Sequence, residues 1–346
     1  MRPTPVLARV LRGDRLESEH RGDVAVVDED GRVLAFSGDP SRRVYVRSAA
    51  KPFQALPLLE GGGAGIFRLR APEIALMCAS HGGEPRHVRV ATRLLSRGGF
   101  SERDLACGAH LPMDDRSAHA LLCRGEKPTR LHNNCSGNHA GLLLACRLLG
   151  FPPAGYEKRA HPIQREIASR LSDFSGMPVS RIPTAVDGCS LPVFLLGLSA
   201  LALAYARLTA RRRSNESPEE REARALLVSS MVSSPSMVAG RGRFTTDLLK
   251  AGDGRWIGKE GAEGVYAMAL APRRPGDKSL GIAFKIEDGS ARPRDAVALE
   301  VLRDLGRFPP SAQRRLAPYV SPVIRNARGA VVGRVEAAVR LRRNAG

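Results

Sequence analysis

A serine and a lysine stand three residues apart in the segment RSAAKPFQA, residues 47–55. The lysine is notable because 47 of the 54 basic residues are arginine. Arginine stays protonated in proteins, whereas a partly buried lysine can lose its proton and act as a base. Residues three apart on a helical turn also share one face. Lys51 could therefore accept the proton of Ser48 while the serine hydroxyl attacks a carbonyl carbon.

The same spacing permits a simpler interpretation, in which Ser48 caps a helix beside a surface lysine. Ser-x-x-Lys is the nucleophile motif of penicillin-recognising enzymes, yet about one chance match is expected in a chain of this length. Pro52 also disfavours helical geometry at Lys51 unless the proline falls in the first turn. The motif alone leaves both interpretations open.

Two further segments carry residues of the same kinds. In CASHGGEPRH, residues 78–87, Ser80 and His81 precede two glycines whose backbone amides could form an oxyanion hole. In GKEGAEGVYAMA, residues 258–269, Lys259 stands just before an apparent strand. A strand lysine also accompanies the Ser-x-x-Lys helix of penicillin-recognising enzymes. A serine cap before a glycine turn and a glycine-rich hairpin entry explain the two segments equally well.

The segments LHNNCSGNHAG and DGCS combine soft metal ligands with polar side chains. His132, Cys135 and His139 are spaced to lie on one side of a turn or helix start, and Cys189 could join them around zinc. Cysteines are also among the most frequently buried residues, so a packing role is the alternative. Side chains suited to hydrogen bonds with a polar substrate, or to turns, are Asn133, Asn134 and Asp187.

Strand-like sequence lies at both ends of the chain. Residues 22–39 hold two runs around an Asp-Gly turn, residues 264–272 and 279–288 form a second hairpin, and residues 329–341 suggest a last strand. Between them, helix-like segments start at prolines and stop at glycines, the residues favoured at those positions. We expect a mixed α and β fold, with an antiparallel sheet formed from both chain ends, flanking helices and a helical subdomain.

The length of 346 residues suits one large domain or two medium ones. We expect a single domain over residues 1–346, in which 1–46 and 264–342 form the sheet. Residues 47–263 would form a mainly helical region that carries the active site. The most apolar run, residues 191–206, is shorter than the roughly 20 residues that span a bilayer and predicts a buried helix.

The formal charge of +19 at first favours a nucleic-acid partner. The arginines are scattered, however, and aromatic residues make up only 5% of the chain, without the basic-aromatic pattern that stacks bases. We therefore expect a solvated basic surface and no nucleic-acid or membrane partner. The first 20 residues contain no apolar signal core, and the six cysteines are irregularly spaced. These features favour a cytoplasmic location with reduced thiols.

Taken together, six segments resemble the L-asparaginase II family, the Rhizobium-type asparaginases. They are RSAAKPFQALPLL, CASHGGEPRHV, HNNCSGNHAG, DGCSLPVF, AGRGRFTTDLL and KEGAEGVYA, in this order between residues 47 and 268. The flanking strand-like ends fit as well, so the resemblance covers nearly the whole chain. It implies a fold similar to serine β-lactamases and glutaminases, hydrolysis of L-asparagine to L-aspartate and ammonia, and a homodimer.

The resemblance also assigns residues. It implies two catalytic serine-lysine pairs, Ser48 with Lys51 and Ser80 with Lys259. A zinc site would use Cys135 and Cys189, with a lysine as the third ligand in the CSGK version of the motif. This chain has Asn138 at that position. An amide oxygen is a weaker zinc ligand than an amine. The third ligand is therefore expected to be either Asn138 or, in its place, His139.

The mechanism that follows is a two-step acyl transfer. Neutral Lys51 accepts the proton of Ser48, which attacks the side-chain amide carbon, and backbone amides hold the oxyanion. Ser80, polarised by Lys259, relays a proton to the departing ammonia, and water then releases aspartate. The alternative that Ser80 is the attacking serine stays open. Candidate substrate-binding residues are Arg47, Asp187, Asn133 and His81.

Two classes of rival function remain. One is another acyl-serine amidohydrolase, either a glutaminase or a penicillin-type enzyme, which uses the same residue types. The other is a catalytically inactive homologue that binds metal or thiols. The replacement of the motif lysine by Asn138 is consistent with such a loss of activity. Release of ammonia from asparagine discriminates between an asparaginase and the inactive homologue.

Overall fold

The computed structural model describes residues 4–344. The strands are β1 (Val6–Arg12), β2 (Arg15–Asp28), β3 (Val33–Ser37), β4 (Arg43–Tyr45), β5 (Thr184–Val186), β6 (Pro192–Gly197), β7 (Trp256–Glu260), β8 (Val265–Leu270), β9 (Leu280–Ile286), β10 (Val323–Arg325), β11 (Val331–Ala337) and β12 (Arg342–Arg343). The helices are α1 (Lys51–Glu60), α2 (Gly63–Ile66), α3 (Ala71–Met77), α4 (Pro85–Arg97), α5 (Asp115–Cys123), α6 (Ser136–Leu149), α7 (Pro162–Ser175), α8 (Leu198–Thr209), α9 (Pro218–Ser233), α10 (Pro235–Val238), α11 (Phe244–Ala251), α12 (Arg294–Asp304) and α13 (Pro310–Val320). Within residues 4–344, every helix is too short or too polar to cross a membrane.

The chain forms two compact units. The sheet unit comprises the residues up to Ala49, Leu196–Arg211 and the residues from Ala251 onward. The helical unit comprises Ala50–Leu195 and Arg212–Lys250. The expectation of a single domain over the whole length stays a prediction.

The sheet unit is built on one antiparallel sheet with the strand order β10-β11-β1-β2-β9-β8-β7. Strand β3 pairs with β2, and β12 pairs with β3. The first strand pairs with β11 near the end of the chain, as in Val10↔Val335. Both predicted hairpins are present, with Val24↔Ser37 in one and Val265↔Lys285 in the other. The prediction of a mixed fold with an antiparallel sheet from both chain ends is confirmed.

Helices α8 and α12 pack on this sheet, α8 on β2, β8 and β9, and α12 on β1, β8 and β11. The approach of α8 is so close that a Cβ atom at Gly281 would lie 1.7 Å from the carbonyl oxygen of Ala202. Only glycine can occupy such a position without moving the helix. Strand β2 is buried at every residue from Gly22 to Asp28.

The expectation of one buried helix over residues 191–206 is wrong for its first part. Residues 192–197 form β6, and α8 starts only at Leu198. Strand β6 pairs with β5 through Ala185↔Val193 and Val186↔Pro192. A continuous apolar run carries no period, so sequence cannot separate a buried strand from a buried helix within it.

In the helical unit, α1 packs against α6, α7 and α9, and α3 packs against α4, α6 and α9. The first turns of α3, α7 and α9 each contain a proline, and α6 and α7 end at glycines with positive φ, Gly150 and Gly176. The start of α6 lies close to the end of α3. A Cβ at Gly137 would be 2.5 Å from Leu76 Cγ, which explains the glycine in the CSGN segment.

Candidate active site

Lys51 is the first residue of α1 and is only 3% exposed. Pro52 therefore falls in the first helical turn, where its missing amide hydrogen costs no helical hydrogen bond. The Lys51 Nζ atom lies 2.6 Å from the Ala79 carbonyl oxygen, 3.2 Å from Ser80 Oγ and 3.0 Å from Cys135 Sγ. The start of α1, the segment after α3 and the start of α6 thus meet at one buried amine.

The three partners of the Lys51 amine can be satisfied by either of its protonation forms. An ammonium group donates three hydrogen bonds, whereas a neutral amine donates two and accepts one. In the neutral form Lys51 can donate to Ala79 and Cys135 and accept the hydroxyl proton of Ser80. A proton can therefore pass between Lys51 and Ser80. The sequence pairs Lys51 with Ser48, and the helical unit adds this contact with the second serine.

Ser48 lies in a short 3-10 helix, Arg47–Ala50, which directly precedes α1 in the chain. The hydroxyl of Tyr205 donates to the Ala49 carbonyl at 2.9 Å and holds this turn within the sheet unit. Ser48 and Arg47 are both half-buried. Arg47 has φ of +49°, a conformation that a residue with a side chain adopts at a cost and that occurs frequently at functional sites.

Lys259 lies inside strand β7, one residue from its end, and is 1% exposed. Its backbone is opposite Ala267, and its Nζ atom donates to the Glu260 carbonyl at 2.8 Å. The carboxylate of Glu260 lies 3.5 Å from the guanidinium of Arg294, which lies over the ring of Tyr266 at 5.8 Å. The sheet unit therefore holds this amine in its interior.

The backbone amides after α3 are largely used within the protein. The amide of Ser80 donates to Val238 O at 3.1 Å, and that of His81 donates to Asn134 O at 3.0 Å. The amide of Gly83 donates to His81 Nδ1 at 3.1 Å. Within the described residues, only the Gly82 amide of segment 80–83 donates no hydrogen bond to the protein. Of the amides expected to form an oxyanion hole, Gly82 alone is available.

His81 is fully buried, with Nε2 3.0 Å from Ser136 Oγ. Its ring stacks on His87, with centroids 4.9 Å apart. Burial, followed by the positive charges of neighbours including Lys51, holds the pKa of His81 well below its ordinary value. Because both ring nitrogens are hydrogen-bonded within the protein, this geometry speaks against the expected substrate contact.

The side chain of Asn133 is also hydrogen-bonded within the protein. Its Nδ2 donates to the Gly108 carbonyl at 2.7 Å, and its Oδ1 accepts from the Cys135 amide at 2.9 Å. The side chain thus fixes the start of α6, which makes it a structural residue more than a substrate ligand. Asp187, by contrast, is half-buried in the loop between β5 and β6, where it accepts from the Gly188 amide at 2.6 Å.

The two cysteines expected at a metal site are brought together. Cys135 and Cys189 are buried, and their thiol groups hydrogen-bond to each other. The hydrogen bond from Cys189 lowers the pKa of Cys135 to about 5, and the charge of Lys51 adds to this effect against the cost of burial. The same hydrogen bond, together with burial, raises the pKa of Cys189. Of the two sulfurs, Cys135 is therefore the one that loses its proton more easily.

The third ligand of the expected zinc site can be tested on this arrangement. Asn138 donates through Nδ2 to the Met77 carbonyl at 3.1 Å, and its Oδ1 is buried without a hydrogen-bond partner. His139 Nδ1 lies 2.6 Å from the Tyr156 hydroxyl, and its Nε2 is also buried without a partner. No group of three or more His, Cys, Asp and Glu side chains within residues 4–344 is arranged to hold a metal. Within these residues His139 is therefore not assembled with the two cysteines, and a zinc site with Cys135, Cys189 and the Asn138 amide oxygen stays a prediction.

The sequence did not single out Ser136, which proves central to the packing around His81. Its hydroxyl donates to the Leu131 carbonyl at 2.9 Å and lies next to His81 Nε2. The available signal was its position, directly after Cys135 at the start of a helix. The contact between Cys135 and Lys51 carried no sequence signal at all, because 84 residues separate the two.

Among curated proteins, none matches this chain. Of solved structures, the Bacillus subtilis glutaminase YbgJ in covalent complex with 5-oxo-L-norleucine aligns at 10% identity over 82% of this chain and 88% of that chain, with a TM-score of 0.37. A probable glutaminase from Bacillus subtilis complexed with 6-diazo-5-oxo-L-norleucine aligns at 11% identity over 82% and 83%, with a TM-score of 0.34. Mglu in its native form aligns at 16% identity over 83% of this chain but 61% of that chain, also with a TM-score of 0.34. TM-scores this low carry no conclusion about this chain.

The family comparison is decisive. The model of the L-asparaginase II family matches residues 8–337, which include the described strands and helices from β2 to β11 as well as all the candidate site residues. The chain therefore belongs to the L-asparaginase II family of amidohydrolases.

Proposed function

We propose that this protein hydrolyses L-asparagine to L-aspartate and ammonia through an acyl-enzyme. The observation that carries the proposal is the buried Lys51 amine 3.2 Å from Ser80 Oγ in a chain of the L-asparaginase II family. A buried amine in contact with a hydroxyl is the pairing needed to activate a serine or to return a proton to a leaving group.

In the first step, Ser48 attacks the side-chain amide carbon of asparagine while neutral Lys51 takes its proton. Ser80 passes its proton to the amide nitrogen and takes the proton held by Lys51 in its place, the carbon–nitrogen bond breaks, and ammonia leaves. Lys259 supports Ser80 in this transfer. In the second step, water attacks the ester on Ser48 and gives one proton to neutral Lys51, which passes it to the Ser48 oxygen as aspartate leaves.

Three groups are proposed for the substrate itself. Arg47 binds the α-carboxylate and Asp187 binds the α-ammonium, since each carries the opposite charge. The Gly82 amide donates to the oxyanion, because its neighbours Ser80, His81 and Gly83 already donate elsewhere.

We also propose that Cys135 and Cys189 bind zinc, with Asn138 Oδ1 as the third ligand. The Asn138 Oδ1 atom, buried without a hydrogen-bond partner on the first turn of α6, supports this assignment. When bound, the ion would supply a fixed positive charge that keeps both sulfurs deprotonated. Metal analysis of the purified protein and of an Asn138→Lys variant tests it, and the lysine should raise zinc content.

A cytoplasmic homodimer is proposed for the assembly. Light scattering coupled to size-exclusion chromatography should give twice the monomer mass. A monomeric mass at all protein concentrations would contradict the dimer but would leave the proposed reaction unaffected.

The test of activity is ammonia release by the purified protein from L-asparagine, compared with L-glutamine and with the β-lactam nitrocefin. Asparagine should be the preferred substrate. Lys51→Arg should lower kcat by about a hundredfold or more, because arginine cannot accept a proton. Lys250→Arg, an exposed lysine of α11, is the matched control and should leave kcat unchanged. Absence of ammonia with and without zinc, at neutral and alkaline pH, would favour the inactive homologue.

The attacking serine can be identified by mass spectrometry of enzyme quenched in acid during turnover. The acyl group is expected on the peptide that contains Ser48. An adduct on Ser80 alone would reverse the roles of the two serines.

A further inference from the structure

His81 stands directly after Ser80, and its ring is the centre of a chain of hydrogen bonds within the helical unit. The Gly83 amide donates to Nδ1 at 3.1 Å, so Nδ1 carries a lone pair and the ring proton lies on Nε2. Nε2 in turn donates to Ser136 Oγ at 3.0 Å, and the Ser136 hydroxyl donates to the Leu131 carbonyl at 2.9 Å. The three hydrogen bonds therefore all run in the same direction, from the Gly83 amide to the Leu131 carbonyl.

The chain connects two segments that carry candidate catalytic groups. On one side is Ser80, and on the other is Ser136, the residue after Cys135. The His81 amide also donates to Asn134 O at 3.0 Å, so backbone and ring both connect the serine segment to the start of α6. Two bonds from one residue fix an orientation as well as a distance.

The surroundings keep the ring neutral. His81 is fully buried, and the side chains whose charges act on it are all basic, namely His87, Lys51, His110 and Arg243. A second proton on Nδ1 would remove the acceptor of the Gly83 amide and add a charge among these groups. The ring on which His81 stacks is held in a similar way, since His87 Nδ1 accepts from the Glu84 amide at 3.2 Å and Nε2 lies 2.8 Å from Ser236 O.

We propose that His81 is a positioning residue, which acts through its Nε2–H···Ser136 hydrogen bond to hold Ser80 in contact with Lys51. It does not bind substrate. This inference rests on the proposed function, since its effect on turnover requires that Ser80 and Lys51 take part in the reaction. Loss of the bond lets the Ser80 segment shift relative to α6, and a small displacement of a reacting group lowers the rate of proton transfer steeply.

The test is a double-mutant cycle. His81→Asn keeps an acceptor close to the position of Nδ1 and removes the Nε2 donor, whereas Ser136→Ala removes the acceptor from the other side. Each variant should lower kcat by about ten- to a hundredfold, with KM for asparagine changed less than about twofold. Because both remove the same bond, the double variant should lose no more than the larger single loss.

The outcomes separate clearly. Losses that multiply in the double variant, or a rise in KM with unchanged kcat in His81→Asn, would overturn the positioning role. Ser136→Thr keeps the hydroxyl and should recover most of the activity lost in Ser136→Ala. The matched control is Ser230→Ala, a buried serine of α9 whose hydroxyl has no hydrogen-bond partner within the described residues, and it should retain full kcat.

A second measurement does not depend on turnover. NMR of the wild-type protein with isotope-labelled histidine should show His81 as the neutral tautomer with its proton on Nε2, and Ser136→Ala should shift this signal. A ring protonated on Nδ1 would overturn the inference even in an active enzyme. If the tautomer is as expected but the wild type releases no ammonia, the proposed function fails while the hydrogen-bond assignment stands.

Discussion

At the scale of single residues, this protein combines groups whose chemistry depends on the neighbours that burial gives them. Lys51 is a surface-type side chain that lies buried among a carbonyl, a hydroxyl and a thiol. Lys259 is buried in a strand and donates to the next carbonyl. A buried amine stays in place only where polar partners replace its water, and each lysine has them. The contacts of Lys51 and Lys259 therefore fix both amines inside the protein.

At Arg47, the effect of backbone strain on stability can be measured separately from the effect of the side chain on substrate binding. Its φ of +49° favours glycine, so Arg47→Gly should keep or raise the free energy of unfolding, by up to about 1 kcal/mol. If its guanidinium binds the substrate carboxylate, the same variant should raise KM for asparagine by about tenfold or more. Urea unfolding and steady-state kinetics measure the two effects.

The matched control is Arg68→Gly, since Arg68 has φ of +50° and is exposed. It should show the same effect on stability with an unchanged KM. An unchanged KM in Arg47→Gly would remove Arg47 from the substrate site.

At the scale of elements, the site depends on how closely α6 approaches α3. Gly137 and Gly141 face Leu76 and Met77, where added Cβ atoms would lie 2.5 Å and 2.7 Å from the side chains. This contact brings Cys135 at the N-terminus of α6 beside Lys51. The small residues at this helix crossing thus set the position of Cys135, which lies two residues before Gly137.

Gly137→Ala should separate the two helices. We expect a loss of about 1–3 kcal/mol in the free energy of unfolding, because the new methyl group overpacks the contact. Gly65→Ala in α2 is the control, since a Cβ there meets nothing within 4 Å, and it should be neutral or stabilising. Chemical denaturation measures both, and equal effects would contradict the packing argument.

The far end of α1 carries a titrating group. Burial raises the pKa of Glu60 from 4.5 to about 7, although Arg170 at 3.6 Å opposes the shift. A higher pKa in the folded than in the unfolded chain means that the folded state binds the proton more tightly. The stability contributed by Glu60 is therefore complete below about pH 4.5 and is lost as the pH rises through about 7.

Glu60→Gln removes this dependence. Between these pH values the wild type should lose about 1–3 kcal/mol more of its unfolding free energy than the variant does. Thermal melts across the range measure the difference, and Glu166→Gln, at an exposed position of α7, should behave like the wild type. Parallel pH profiles for wild type and Glu60→Gln would show that the carboxylate is paired in both states.

At the scale of the whole molecule, charge is the dominant property. With a formal charge of +19, the positive charges repel one another, and this repulsion destabilises the folded state. Many of the acidic side chains lie in local ion pairs with arginine, as at Arg224 with Glu216 and Arg42 with Asp23. Such pairs leave the excess of 19 positive charges in place, so the remaining basic side chains repel one another through solvent.

Moderate salt should therefore stabilise the protein. Raising the ionic strength from about 0.01 M to about 0.15 M shortens the screening length from about 30 Å to about 8 Å, which weakens this repulsion. We expect Tm to rise with sodium chloride at neutral pH, and the rise to shrink as the pH approaches the pI of about 10.7. A Tm that falls with salt would show that attractive ion pairs outweigh the repulsion.

Much of the fold follows from local signals in the sequence. Turn residues between alternating strands predict the hairpins at 22–39 and 264–288, because turn chemistry acts over a few neighbouring residues. Prolines and glycines predict helix ends for the same reason. The run 191–206 shows the limit, since an unbroken apolar stretch contains no period that separates β6 from α8.

The sequence by itself determined the residue types, their local spacing and the family, because these are properties of the chain order. Only the tertiary structure decided which groups meet. It brings Lys51 to Ser80 and Cys135, and it engages His81 and Asn133 in hydrogen bonds within the protein. Contacts between distant segments arise from helix packing and burial, which depend on the whole core and leave no pattern in any short stretch of sequence.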